Sequence, residues 1–374
     1  MSFADTDFPA RPYPGARPPC SFAHVDGTGY PLRRDLSALS GWRLNPADDP
    51  GGDAVGDHGE NHGIDLDDWL ADRGAPPLAG RVPLLCYGSN ACPSKLTWLR
   101  ATFGLPGPAV LLRADCTGLA AVWAAGLRVV DDQRPATLAA VPDVTERHAV
   151  WLATPEQVDV LDRAEGRHEG PRSRYRLAHV TTGEVRLEDG TLLDRPLAYV
   201  AAAEHAGNPR TIRYPLLVDG RPVRCADVPQ AAARALTGVP ATGDGLTLEV
   251  VDGTPRPDDL PGRLFVYGTL QPGASHWPML EPHVAGEPRR ARLPGTLFDT
   301  GFGYPALRPG GPGVVGWAVE LAAPAATLST VDAYEGANFR RVRVTLDDGT
   351  QAWTYVWANP IDGMRELTTA WGTT

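Results

Sequence analysis

Two glutamates and two glycine turns are the residues best suited to chemistry. Glu165 closes the segment QVDVLDRAEG at 157–166, and Glu335 closes TLSTVDAYEG at 327–336. A carboxylate at a helix C-terminus that faces the interior is disfavoured as an anion by desolvation and by the helix dipole. Its pKa rises, and a carboxyl that titrates near neutral pH can take a proton and return it. Upstream of each glutamate, an apolar run ends in Tyr-Gly and a small hydroxyl: LLCYGSN at 84–90 and LFVYGTL at 264–270. Glycine permits positive φ and close approach of a ligand to the backbone. A turn of this kind offers successive N–H groups as a cradle for an anion or a carbonyl oxygen. The candidate binding residues are therefore Tyr87, Gly88, Ser89 and Asn90, and Tyr267, Gly268, Thr269 and Leu270. The candidate acid/base groups are Glu165 and Glu335.

The elements that position these residues follow from local patterning. VPLLCY and RLFVYG are apolar and β-rich, so each reads as a buried strand with the glycine turn at its end. Thr154-Pro155-Glu156-Gln157 supplies an N-cap, a proline at the first helical position and a capping-box Gln. This predicts a helix over 155–165, stopped by Gly166. Val158, Leu161 and Ala164 form its apolar stripe, and Glu165 falls on that stripe. Leu328, Val331, Glu335 and Gly336 repeat the pattern. A second reading fits equally: each Glu pairs with Arg176 or Arg340 and merely holds the helix end. Asp162 and Asp332, three residues before each Glu, read as structural, capping or pairing with Arg.

The landmarks recur in one order. After each Glu-Gly comes an aromatic followed by Arg, Tyr175-Arg176 and Phe339-Arg340, then a strand-like segment, LAYVAA at 197–202 and WTYVWA at 353–358. This predicts two homologous domains, 81–250 (core about 81–225) and 262–374, joined by a Pro-rich linker at 251–261. Residues 1–80 match neither copy. They hold 13 Asp and Glu against 6 Arg and read as an acidic, partly ordered, Pro/Gly/Asp-rich segment. Within it, His58, Glu60 and His62 have the residue types of a metal site, but the surrounding GGDAVGDHGENHG reads better as a polar loop. IDLDDWLADRG at 64–74 reads as a short capped helix.

Composition narrows the function classes. The chain has 374 residues, with 41 Gly and 37 Pro, yet 43% of it is hydrophobic. That argues against a disordered chain or a helical bundle and favours short strands and many turns. The net charge is −10 and no basic run is present, so no nucleic-acid partner is expected. No apolar run reaches the roughly 18 residues of a membrane span. The first residues lack the charged and apolar regions of a secretory signal. Five scattered cysteines do not form a disulfide pattern, which suggests the cytoplasm. No P-loop, GxSxG elbow or zinc spacing occurs.

At this point the residues resemble the γ-glutamylcyclotransferase-like superfamily. YGSN at 87–90 and YGTL at 267–270, each followed by Asp-x-x-Glu-Gly, carry the resemblance. The second copy is similar to its AIG2-like branch: YGTL, GTLFDTGFGYPAL (295–307), VVGWAVEL (314–321) and DAYEGANFRRVRV (332–344) fall in the expected order. The first copy departs from it, with Ala91 after YGSN and eight residues between Gly166 and Tyr175. The resemblance implies an α+β fold: two tandem γ-glutamylcyclotransferase-like domains, each a small mixed β-barrel with flanking helices. It implies a cofactor-free, metal-free enzyme that turns a small-molecule γ-glutamyl amide or peptide into 5-oxoproline and a free amine. Glu165 and Glu335 then map onto the acid/base group, the two Tyr-Gly loops onto the substrate site, and Tyr304 onto the pocket border. The alternative is that one or both copies are non-catalytic binding modules for a γ-glutamyl-like ligand. The oligomeric state is left open.

Overall fold

A computed structural model describes residues 1–45, 63–168, 172–202, 210–367 and 370–371. His58, Glu60 and His62 lie outside the described residues. The chain divides into two compact units. Unit 1 comprises 1–31, 82–188 and 195–255, and unit 2 comprises 32–81, 189–194 and 256–374.

Unit 1 contains β1 (Phe22–Val25), β2 (Thr28–Arg34, crossing into unit 2 at Leu32), β3 (Val82–Cys86), α1 (Pro93–Phe103), β4 (Ala109–Trp123), β5 (Ala136–Ala153), α2 (Pro155–Glu165), β6 (Tyr175–Val180), β7 (Glu184–Leu187), β8 (Leu197–Ala201) and β9 (Leu248–Val250). The central strand order is β6-β8-β3-β5-β4, with β9 outside β6 and β1 outside β4. β3 is antiparallel to β5 and parallel to β8. The chain leaving β6 runs on into β7, which pairs with β4, so the sheet curls back on itself. All five residues of β3 are buried, as a strand covered on both faces requires.

Unit 2 contains β10 (Arg263–Val266), β11 (Arg289–Asp299), β12 (Pro305–Glu320), α3 (Pro324–Glu335), β13 (Phe339–Thr345) and β14 (Gln351–Trp357). Its strand order, β13-β14-β10-β12-β11, repeats that of unit 1 element for element. β10 is again antiparallel to one neighbour, β12, and parallel to the other, β14. The chain just after β13 meets β11 through Asp347 N–H, which donates to Arg292 O at 2.9 Å. Both units are thus mixed sheets with few helices, an α+β arrangement.

The helices form where their caps predict. Gln157 N–H donates to Thr154 Oγ1 (3.3 Å) and Thr154 N–H to Gln157 Oε1 (3.2 Å). Gln157 is itself buried and donates from Nε2 to the carbonyls of Pro106 and Pro108. Gly166 ends α2 in the left-handed region at φ 67°, a conformation that costs a residue with Cβ extra strain. α3 ends at Gly336, also at positive φ (62°).

The description of residues 1–80 as a separate, partly ordered acidic segment needs correction. Residues 1–31 belong to unit 1 and 32–80 to unit 2. Phe22, Ala23, Trp42, Leu44, Leu66, Trp69 and Leu70 are buried. A net acidic count hid these apolar residues, which are spaced for strands and one short helix, Leu66–Ala71, capped by Asp65 accepting from Asp67 N–H at 2.9 Å. The chain passes from unit 1 to unit 2 after Pro255, within the Pro-rich 251–261 stretch. Val251 N–H donates to Leu177 O in unit 1. In unit 2, Asp258 pairs with Arg341 at 2.8 Å, and Arg343 donates to the carbonyls of Pro257 and Leu260.

Candidate functional site

In unit 2 the strand β10 delivers the Tyr267–Leu270 turn to one end of the sheet, and α3 delivers Glu335 to the same end. A cavity of about 380 Å³ results. Tyr267, Gly268, Thr269, Leu270, Tyr304 and Glu335 all line it, together with His276, Pro305, Tyr334, Asn338, Phe339 and Tyr355. Glu335 is half-buried, and this burial pushes its pKa up to about 7. Arg340, its alternative partner, pairs instead with Asp68 at 3.5 Å.

Buried hydrogen bonds hold this geometry. Tyr267 OH donates to Tyr355 O (2.7 Å), and Tyr355 OH donates to Asp332 Oδ1 (2.7 Å), one turn before Glu335. Arg341 Nε lies 3.3 Å from the same Asp332 oxygen. The strand end, the neighbouring strand and the helix end are thereby tied together. Asp332 has the structural role its position suggests. Thr269 Oγ1 and Tyr334 OH lie 3.0 Å apart. The carbonyls of Tyr267 and Gly268 accept from Gln271 Nε2.

Gly268 does not adopt positive φ, contrary to the expectation. Its glycine is needed for space: a Cβ there would meet Pro305 Cδ and Cγ at 3.2 Å. Gly88 is likewise at φ −103°.

Unit 1 repeats the framework. Tyr87 OH donates to Tyr199 O (2.6 Å), and Tyr199 OH donates to Asp162 Oδ1 (2.7 Å). Asp162 also pairs with Arg167 at 2.6 Å. Ser89 opens a short 3-10 turn, Ser89–Ala91. Asn90 Nδ2 donates to Glu165 Oε1 at 2.9 Å, so turn and glutamate meet directly. Here, however, the N-terminal segment is present. Arg17 Nη2 donates to the carbonyls of Tyr87 (2.5 Å) and Gly88 (3.0 Å). The Tyr13 hydroxyl accepts from Ala136 N–H and lies 3.4 Å from where a Gly88 Cβ would stand.

Tyr199 and Tyr355, Tyr13 and Arg17, and the rings of His276 and Tyr334 were not singled out from the sequence, and Phe339 was read only as a landmark of the repeat. A signal existed for the first pair, a Tyr repeated inside LAYVAA and WTYVWA, and for Tyr334 and Phe339, which lie one residue before and four residues after Glu335. Tyr13, Arg17 and His276 reach their sites through tertiary contacts with no short spacing to read.

Deleting one hydroxyl in each copy measures these ties. Tyr267→Phe and Tyr87→Phe each leave a buried carbonyl without its donor, and each is expected to cost about 1–3 kcal/mol of stability. Denaturant unfolding of the two variants reads this loss.

Comparison with known proteins bears on unit 2. Residues 264–372 match the family described as gamma-glutamyl cyclotransferase, AIG2-like. That match spans β10 to the end of β14 and so contains both the Tyr-Gly turn and Glu335. No curated protein matches the chain. Among solved structures, an AIG2-like protein from Mus musculus is 23% identical, over 26% of this chain and 77% of that one, with a TM-score of 0.23. A protein from Arabidopsis thaliana is 31% identical, over 26% and 68%, with a TM-score of 0.22. A uropathogenic E. coli-specific protein is 23% identical, over 29% and 91%, with a TM-score of 0.27. Among the described residues, no helix is long and apolar enough to cross a membrane.

Proposed function

We propose that unit 2 is a cyclotransferase-type active site that converts a γ-glutamyl amide into 5-oxoproline and a free amine. The observation that carries this reading is Glu335: a carboxyl titrating near 7, in one cavity with the Tyr267–Leu270 turn. The glutamyl α-carboxylate sits on the N–H groups of the turn. Glu335, ionised, removes a proton from the α-ammonium. The freed amine attacks the γ-carbonyl carbon, a C–N bond forms, and the negative charge develops on the carbonyl oxygen, where N–H donors stabilise it. The bond to the departing nitrogen then breaks as Glu335 returns the proton to that nitrogen, and the second proton of the attacking nitrogen passes by way of Glu335 to the released amine, which leaves as an ammonium. Atoms balance without water, because the substrate supplies its own nucleophile. Intramolecular attack gives effective molarities of roughly 10⁵–10⁸ M when well oriented. Because Glu335 acts first as a base, kcat/KM is expected to rise with pH through about 7. A flat profile between pH 5 and 9 speaks against this role.

We infer further that the chain is a tandem repeat of this fold, and that unit 1 is a non-catalytic copy. Support for the repeat is the shared strand order and the matched Tyr–Tyr–Asp hydrogen bonds. Support for the lost activity is Tyr13, whose hydroxyl lies over Gly88, and Asn90, which is bonded to Glu165 where unit 2 has Leu270. The test is a 5-oxoproline assay over a panel of γ-glutamyl amines and dipeptides, with wild type, Glu165→Gln, Glu335→Gln and the double variant. Loss with Glu335→Gln alone is the expected result. Loss with Glu165→Gln alone assigns the activity to unit 1 instead. Activity in the double variant defeats the mechanism.

A further inference from the structure

The unit 2 cavity holds more than a glutamyl group needs. Its volume of about 380 Å³ lies inside the roughly 300–1,000 Å³ range of small-molecule sites. Beyond the turn and Glu335, the described lining is rich in rings, His276, Tyr304, Tyr334 and Phe339 among them, with Val266, Pro305 and Asn338 between. These rings are already arranged in pairs. His276 and Tyr334 have centroids 5.2 Å apart, and Tyr304 and Phe339 6.1 Å apart. Phe302 extends the surface outward. It is 76% exposed, stacks on Tyr304 at 6.2 Å with an interplanar angle of 27°, and is flanked by Gly301 and Gly303, both at positive φ. No Arg or Lys is among the described lining residues, so away from Glu335 the lining offers ring faces to a ligand.

An exposed aromatic stacked on the ring of a cavity-lining tyrosine is a surface that a ligand ring covers well. Resting on the cyclotransferase reading of this site, we propose that the departing amine carries an aromatic ring. The ring packs among Tyr304, Tyr334 and His276, and Phe302 covers it from outside.

The experiment compares kcat/KM for γ-glutamyl-phenethylamide, γ-glutamyl-methylamide and γ-glutamyl-lysine linked through the side-chain amine, with 5-oxoproline as readout. The phenethylamide is expected to be favoured at least tenfold over the other two. Phe302→Ala, an exposed change that spares the fold, is expected to shrink that ratio several-fold, mainly through KM. Equal rates for the three amides, or a preference for the methyl or lysyl amide, overturn the ring assignment and leave the cyclotransferase reading standing. A preference unchanged in Phe302→Ala removes Phe302 from the subsite. No 5-oxoproline from any amide overturns both readings.

Discussion

Glu335→Gln is expected to lower 5-oxoproline formation by about 10²–10⁴-fold, the usual contribution of a positioned acid/base group. The same substitution is expected to stabilise the protein above pH 7. Burial holds the folded-state pKa of Glu335 at about 7, above the roughly 4.3 of an unfolded glutamate. The folded state therefore prefers the protonated form. The stability this group contributes is fully present below about pH 4, and is lost as pH rises through about 7. Above that, a partly desolvated carboxylate remains, and the amide removes its cost. After allowance for partial exposure, the gain at pH 8 is about 1–3 kcal/mol. It vanishes near pH 4. Thermal unfolding of both proteins at pH 4 and pH 8, beside the activity assay, reads both effects. Equal destabilisation at the two pH values would mean that Glu335 holds the helix end and does no proton chemistry.

Gly316→Ala is expected to damage both the fold and the site. Gly316 lies on β12 against β10. A Cβ there would stand 2.4 Å from Val266 O and 2.7 Å from Phe265 Cζ. Neither can move cheaply: Val266 O belongs to the strand backbone, and Phe265 is 1% exposed in the core. β10 must shift, and it carries Tyr267–Leu270 at its end. Overpacking of this kind costs about 1–3 kcal/mol and sometimes more. The cost here is placed near 3 kcal/mol, with at least a tenfold fall in kcat/KM from the displaced turn. Gly313→Ala is a useful contrast. The three atoms nearest its Cβ would all belong to the Arg292 guanidinium, a flexible side chain, although its positive φ of 108° adds local strain. Denaturant unfolding and kcat/KM of the two variants should separate backbone displacement from local strain. An unimpaired Gly316→Ala protein shows that β10 and β12 yield more than the geometry suggests.

The helix that ends at Glu165 was legible because its signals are local. Thr154, Pro155, Gln157 and Gly166 each act within one turn, and the boundaries Pro155–Glu165 follow from them. The two candidate glutamates stand out in the sequence for the same reason: a glutamate on an apolar stripe breaks the usual helix pattern, whatever surrounds it. The shared strand order of the two units has its counterpart in four weak landmarks that keep one order in the sequence. The role of residues 1–80 was not, since summed charge says nothing about where apolar side chains point.

By itself, the sequence determined the two buried strands that end in Tyr-Gly, the capped helix Pro155–Glu165 and the helix ends at Gly166 and Gly336, all products of short-range sterics, capping and hydrophobic periodicity. Only the tertiary structure decided how the two Tyr-Gly turns differ. In unit 2 the turn opens onto an aromatic cavity around Glu335. In unit 1 the same turn meets Arg17 and Tyr13, residues about 70 positions earlier in the chain. Such contacts arise from chain segments that meet through packing, and their free energy depends on distances that no local pattern encodes.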